Sequence, residues 1–363
     1  MHIDAVAFSD FRNFPTLSFS PAPTFNLVAG ANAQGKTNLL EGLGVLILGR
    51  SFRGARTADL ARWTSDRAVL CGELNRGETT RSLRRFLEPR EGGAWAASGD
   101  GCAWARVIPF GWHDLAIVHG APQARRDFLD GFAAKLYPAH GTAWRRYRQI
   151  LARRNHLLQG QGFGGSVREQ LEPWDEQLVR TGLELIERRL TALARLGREV
   201  AELYPELTGR GEVRLAYRSS IGEEPGEASF RRALTERFGE EVRRGVTLVG
   251  PHRDEVAVEL DGHDLRNFGS RGQQRVMALA LRLAERAPVT EAVGTAPILL
   301  LDDALSELDP AVQDRVLERV MDGAQVFLST ADADLADRCG GARWDVQAGQ
   351  IAAAGVATGW SAR

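Results

Sequence analysis

Residues 30–37 read Gly-Ala-Asn-Ala-Gln-Gly-Lys-Thr, a complete GxxxxGK[ST] pattern, and no other stretch of the chain restricts the possible folds as strongly. The residues before it, Phe25-Asn26-Leu27-Val28-Ala29, are a short apolar run that reads as a buried strand, and Asn38 to Leu48 reads as a helix. Strand, glycine loop and helix in that order aim backbone N–H groups and a helix N-terminus at anionic phosphate. Lys36 is one of only two lysines among 46 basic residues, the other being Lys135. In a chain that uses arginine elsewhere, a lysine here indicates a site that needs a compact ammonium rather than a planar guanidinium. An α/β nucleotide-binding fold is the first expectation, with Gly30, Ala31, Asn32, Ala33, Gln34, Gly35, Lys36, Thr37 and Asn38 around the phosphates.

Far downstream, Ala296-Pro297-Ile298-Leu299-Leu300-Leu301-Asp302-Asp303 is an apolar run ending in two acids. Four consecutive large aliphatics suit a parallel strand buried on both faces. Carboxylates at its end then sit at the carboxyl edge of the sheet, where open α/β sheets bind ligands. Asp302 is placed to hold Mg²⁺ together with the Thr37 hydroxyl, and Asp303 to orient or deprotonate the attacking water. Taken alone the segment could be a strand followed by an acidic helix cap; beside a phosphate loop the metal reading is the better one.

About thirty residues before the acidic strand comes Asn267-Phe268-Gly269-Ser270-Arg271-Gly272-Gln273-Gln274-Arg275, and Val276 to Arg286 then reads as a helix. Ser270 is a good N-cap, and glycine beside it lets backbone approach a ligand. After the acids, Ser306-Glu307-Leu308-Asp309-Pro310 opens another helix with proline near its first turn. In the order phosphate loop, Ser-x-Gly-Gln, apolar-Asp-Asp, Ser-x-Leu-Asp, the chain resembles the ABC ATPases, with Walker A, signature, Walker B and D-loop.

The resemblance narrows to the RecF family of SMC-like ABC ATPases. It runs nearly end to end: Asp10-Phe11-Arg12-Asn13-Phe14, Gly35-Lys36-Thr37-Asn38-Leu39-Leu40-Glu41, Gly49-Arg50-Ser51-Phe52-Arg53, Arg125-Arg126-Asp127-Phe128-Leu129-Asp130, Arg154-Asn155, and Gly250-Pro251-His252-Arg253-Asp254 leading into Ser270-Arg271-Gly272-Gln273. The resemblance implies a protein that binds ATP, forms an ATP-dependent homodimer on DNA at gaps or single-strand/double-strand junctions, and works with RecR and RecO to load RecA. It implies Ser270, Gly272 and Gln273 of a second protomer over the γ-phosphate, with Lys36, Asp303 and Ser270 as the catalytic group. Two departures stand out. Ala103 to Pro122 contains no glutamine to contact metal and water, which leaves Asp114 of Trp112-His113-Asp114 as a candidate. The usual switch histidine is replaced by Ser329-Thr330, with Thr330 a candidate γ-phosphate contact. An aspartate at 303, where most ABC proteins carry glutamate, implies slow hydrolysis, and the family resemblance implies that DNA stimulates it.

The expected organisation is a mixed-sheet ABC head with an antiparallel β subdomain, split as 1–120 and 246–363, around a helical arm at 121–245. Ala68 to Leu74 alternates as an antiparallel strand. In the arm, Trp144 to Leu158 and Trp174 to Tyr204 read as helices around a Gly160–Gly165 turn. Ile186, Leu190, Leu193, Gly197, Val200 and Tyr204 mark a coiled-coil-like seam. At ~1.5 Å per residue the second helix is about 45 Å long, a stub beside an SMC rod.

Net charge is −1, so nucleic-acid binding has to come from uneven placement. From Ala121 to Gly160 eight basic residues face two acids, a net of +6, and aromatics are interleaved. Arg145, Arg146, Arg148, Arg153 and Arg154 are the candidate backbone contacts to DNA, with little base reading. Three cysteines without CxxC spacing argue against a disulfide framework or zinc site. The N-terminus lacks an apolar secretory core, and no run approaches the ~20 residues of a membrane span. A cytoplasmic protein without a membrane partner is expected. A transporter's nucleotide-binding subunit would share the head motifs but lack a basic arm, and a monomeric P-loop kinase would leave Ser-x-Gly-Gln without a role.

Overall fold

The computed structural model describes residues 1–63, 65–160, 166–332, 335 and 338–357. They divide into two compact units, Met1–Leu115 with Glu206–Thr208 and Arg275–Arg363, and Ala116–Pro205 with Gly209–Gln274.

The first unit holds two sheets. One has the strand order Gln350–Ala357, Gly341–Gln347, Phe25–Ala29, Val326–Thr330, Ile298–Asp302, Val107–Phe110. All its pairings are parallel except the terminal hairpin. Phe25–Ala29, Val326–Thr330 and Ile298–Asp302 are buried along their whole length, which is why they read as unbroken apolar runs. The other sheet is antiparallel, in the order Phe14–Phe19, His2–Phe11, Ala68–Arg76, Thr79–Pro89, Trp95–Gly99. The helix Lys36–Leu48 lies in the core between them: Leu39, Leu40, Leu43 and Leu46 join one apolar cluster with Phe8 and Phe11 of the antiparallel sheet and Leu300 and Phe327 of the parallel one. A helix covered on every side has no polar face, so its polar residues other than those at its ends must find partners inside.

The second unit contains the helices Pro122–Leu136, Pro138–Leu158, Val167–Thr208 (apart from its last three residues) and Glu227–Arg244, and a three-stranded sheet in the order His263–Asp264, Glu255–Leu260, Val213–Arg218. The long helix runs 42 residues, about 63 Å at 1.5 Å per residue, and Pro173 and Pro205 do not interrupt it. Ile186, Leu193, Val200 and Tyr204 of the expected seam are buried, but Leu190 is 39% exposed, and the fully buried side chain there is Arg189. Arg189 turns inward because it forms a two-pronged pair with Asp130 (2.7 Å for both bonds) and donates to the Pro251 carbonyl. Burial pushes the Asp130 carboxyl up, but the hydrogen bonds from Arg189 and His140 hold it below its ordinary value. Residues 246–274, expected with the C-terminal part of the head, cluster here instead. Glu255–Leu260 pairs with Val213–Arg218, and Thr247 donates from its backbone N–H and its hydroxyl to Asn155 Oδ1 (2.8 and 2.7 Å). Of the expected Gly160–Gly165 turn, Gly160 is described; residues 161–165 lie outside the described residues.

Candidate nucleotide-binding site

The glycine loop leaves the strand Phe25–Ala29 and enters the helix at Lys36. Gly35, its N-cap, has a left-handed backbone and offers no side-chain cap, so the first helical N–H groups are left for an anion. Gly30 has φ +148°, and a Cβ there would lie 2.4 Å from the Val346 carbonyl oxygen, so the neighbouring strand itself requires glycine. Lys36 Nζ donates to the carbonyls of Gly30 (2.6 Å) and Ala31 (2.9 Å), folding the ammonium over the loop. Burial pushes its pKa down, while Asp303 and Asp302 act against that shift. A phosphate entering the loop would meet a cation already aimed at it.

Asn13 braces the loop from the antiparallel sheet. Its amide donates to the Gln34 carbonyl (3.1 Å) and its Oδ1 accepts from Asn38 (2.8 Å), while Gln34 Oε1 accepts the Ala348 N–H (2.8 Å). One residue earlier, Arg12 forms a two-pronged pair with Glu41 of the helix (2.9 and 3.1 Å). Glu41 is fully buried and also accepts from Ser51 (2.6 Å) and Arg53 (3.3 Å). Three sequence motifs between Asp10 and Arg53 thus meet on one buried carboxylate. Their functional weight is visible in the sequence, but not this structural role.

Strand register decides the rest of the site. Asp302 pairs with Ser329 and Thr330 with Ala29, so the carboxyl ends of three parallel strands lie side by side. Asp302 Oδ1 accepts from Thr37 Oγ1 (2.9 Å) and from Ser329 Oγ (2.7 Å). Ser329, which in the sequence stands out only as a replacement for histidine, therefore positions the acid, and it also accepts the Asp303 N–H (2.9 Å). Thr330 is buried and its hydroxyl accepts the Asp332 N–H (3.0 Å). Asp303 has a left-handed backbone (φ 51°), accepts from Ser306 Oγ at Oδ2 (2.8 Å), and its carbonyl accepts from Arg275 (2.7 Å). The hard oxygen donors of Thr37 and Asp302, already in contact, suit Mg²⁺. Among the described residues no three or more His, Cys, Asp or Glu stand together as a group that could hold a metal ion.

The segment after the edge strand Val107–Phe110 corrects one expectation. Asp114 is buried, accepting from the Gly111 N–H (2.9 Å) and from Arg282 (2.6 and 3.0 Å), so it serves the loop's own structure and is not free to meet metal or water. Trp112 lies beneath the Arg275 guanidinium, 4.1 Å from it.

No protein-family model matches the chain. Its sequence is 37% identical over 348 residues to the DNA replication and repair protein RecF of Heliobacterium modesticaldum, covering 91% of this chain and 92% of that one. It is 34% identical over 368 residues to the same protein of Desulforamulus reducens, covering 97% and 98%. The chain belongs to the RecF family. A solved structure of the recombination mediator protein RecF with ATP, from the RecFOR pathway, superposes with a TM-score of 0.88 over 98% of both chains at 26% identity. An Smc head bound to the C-terminal winged-helix domain of ScpA shares the fold, with a TM-score of 0.57 at 15% identity over 98% of this chain and 97% of that one. The ABC-type ATPase fold expected from the motifs is the fold of this RecF-family chain.

The remaining expected site residues lie in the second unit. Ser270 and Gln273 cap the helix Arg271–Ala284 reciprocally, Ser270 N–H to Gln273 Oε1 (2.9 Å) and Gln273 N–H to Ser270 Oγ (3.2 Å). Ser270, Gly272 and Gln273 are exposed, and a Cβ on Gly272 would meet nothing within 4 Å, so this turn is open to a ligand from outside.

The basic arm divides in two. Arg145, Arg146, Arg148 and Arg153 are exposed, and Arg146 and Arg153 line a groove with His156, Trp174 and Gln177. Arg154 is not a DNA contact: it is fully buried, paired with Asp175 (2.6 Å) and Glu241 (2.7 Å) and donating to Thr247 (2.9 Å). Removing one partner of such a buried pair leaves an uncompensated charge at a cost of about 3–5 kcal/mol, so Arg154 serves the fold. Among the described residues no helix is long and apolar enough to cross a membrane.

Proposed function

We propose that this chain is an ATP-dependent DNA-binding protein of recombinational repair and replication restart. The observation that carries the reading is the meeting of Lys36, Thr37, Asp302 and Asp303 at the carboxyl edge of one parallel sheet, in a chain of the RecF family. The first unit acts as the ATPase head and the second supplies the signature turn and the basic arm. Lys36 and the loop N–H groups hold the β- and γ-phosphates. Thr37 and Asp302 would hold Mg²⁺, which supplies neutralising charge at those phosphates. Asp303 orients and deprotonates water, and Thr330 contacts the γ-phosphate. Ser270, Gly272 and Gln273 of a second copy close over the same phosphate, so ATP forms part of a homodimer interface. A ligand that binds one state better shifts the population toward it, and hydrolysis reverses the shift. The dimer forms on DNA gaps or junctions, acts in the cytoplasm with RecR and RecO to load RecA, and turns ATP over slowly with stimulation by DNA. Sedimentation with and without ATP and DNA tests it; a species that stays monomeric under all four conditions would refute it.

Two variants probe the parts. Asp303→Asn keeps ATP binding and lowers kcat about 100-fold or more, the usual worth of a general base, so dimers on DNA last longer. Normal turnover would place the base elsewhere. Reversing Arg145, Arg146 and Arg148 to Glu weakens duplex binding and flattens the log-salt slope by about 0.9 for each phosphate that the arm no longer neutralises. An unchanged slope would place the duplex on another surface.

A further inference from the structure

The segment Arg50 to Arg67 of the first unit carries five arginines and two acids, a net of +3, and near its end stands the most exposed large apolar side chain of the described residues. Trp63 is 101% exposed, although tryptophan is on average among the well-buried residues. Its position is held from both sides. Leu60 and Ala61 are buried, Arg12 N–H donates to Leu60 O (2.9 Å), Arg62 N–H donates to Asp10 O (2.8 Å), and Phe11 bridges Ala61. Ser65 N–H donates to Arg62 O (2.9 Å), so Arg62, just before the indole, is bonded through both its N–H and its carbonyl.

The surroundings select the occupant. Among the described residues Trp63 is the sole exposed large apolar side chain in this segment, so it lacks the apolar patch that a protein partner would bury around an aromatic anchor. Arg56, just before the short helix Thr57–Leu60, and Arg62, next to the indole, are exposed and have no ion pair or side-chain hydrogen bond among the described residues. An exposed aromatic face with uncommitted guanidinium groups one and seven residues before it in the chain matches a nucleotide with an unpaired base: the base has a π-face to stack and its phosphates have cations to meet. An intact duplex offers no such base face along its length. We propose that Trp63 is a stacking platform for an unpaired base of single-stranded DNA, with Arg56 and Arg62 on the adjoining phosphates. This rests on the DNA-binding reading above and assigns the single-stranded side of a gap or junction to the first unit.

The test uses the full chain, its Trp63→Ala and Trp63→Phe variants, and fluorescence anisotropy with a labelled oligothymidylate and a labelled blunt duplex at one salt concentration. Stacking contributes enough per base that Trp63→Ala is expected to lose roughly fivefold or more in affinity for the oligothymidylate while duplex binding is unchanged. Trp63→Phe, which keeps a ring, recovers most of the loss. Oligothymidylate binding by Trp63→Ala equal to wild type overturns the proposal and leaves the DNA-binding reading standing. So does loss of ATP-dependent dimerisation in Trp63→Ala, which would make the indole a seat for a second copy. Failure of the wild-type chain to bind either DNA sinks the underlying reading as well.

Discussion

Lys36→Met abolishes ATP-dependent dimerisation. The ammonium is the cation folded over the loop carbonyls of Gly30 and Ala31, and nothing else in the loop carries positive charge. Truncating one partner of a buried, hydrogen-bonded charge pair costs about 2–5 kcal/mol, or roughly 30-fold or more in affinity. Methionine has nearly the same length but cannot make the bonds that Nζ donates to the Gly30 and Ala31 carbonyls, so the thermal midpoint is measured beside binding, and an unchanged midpoint shows that the fold survives. Loss of binding then reports on the site rather than on stability. Calorimetric titration with ATP and sedimentation at saturating ATP give the answer, and a variant that still dimerises would show that this loop is not where nucleotide acts.

A second large effect is expected at a residue outside the phosphate loop's own set. Ser270→Arg leaves Lys36, Thr37 and Asp302 untouched, so the chain still binds ATP. It fails to dimerise, because a bulky cation replaces the hydroxyl that must come close to the other copy's γ-phosphate. The loss of the Ser270–Gln273 capping pair costs only about 1 kcal/mol, too little to unfold the unit. Mixing supplies the control. Ser270→Arg paired with Lys36→Met brings one intact loop to one intact signature turn, while the second interface carries both defects. Recovery of ATP-dependent pairing in the mixture, absent from either variant alone, identifies a signature acting between copies. Normal dimerisation and turnover by Ser270→Arg alone would rule that arrangement out for this chain.

The geometry of the candidate nucleotide site was legible in the sequence because its determinants are local. A five-residue apolar run, a glycine loop and a helix specify their own geometry, and an aliphatic strand ending in acids places those acids at a sheet edge whichever strands flank it. The family was legible for a similar reason, since short motifs in fixed order survive where bulk composition does not. Tertiary structure decided what each polar side chain faces. Arg153 is exposed and Arg154 buried, and Arg189 points inward where Leu190 does not, although each pair differs by one residue. One step along a helix turns a side chain by about 100°, so charge can be read from sequence while direction depends on which partner packs there. For Arg154 and Arg189 the partners are Asp175, Glu241 and Asp130, each at least twenty residues away in the chain. Asn13 under the loop, Glu41 at the junction of three motifs, and Ser329 on Asp302 follow the same rule. Sequence by itself determined the elements and the chemistry they could carry; long-range register and buried charge pairing, which no local pattern encodes, decided which residues carry it.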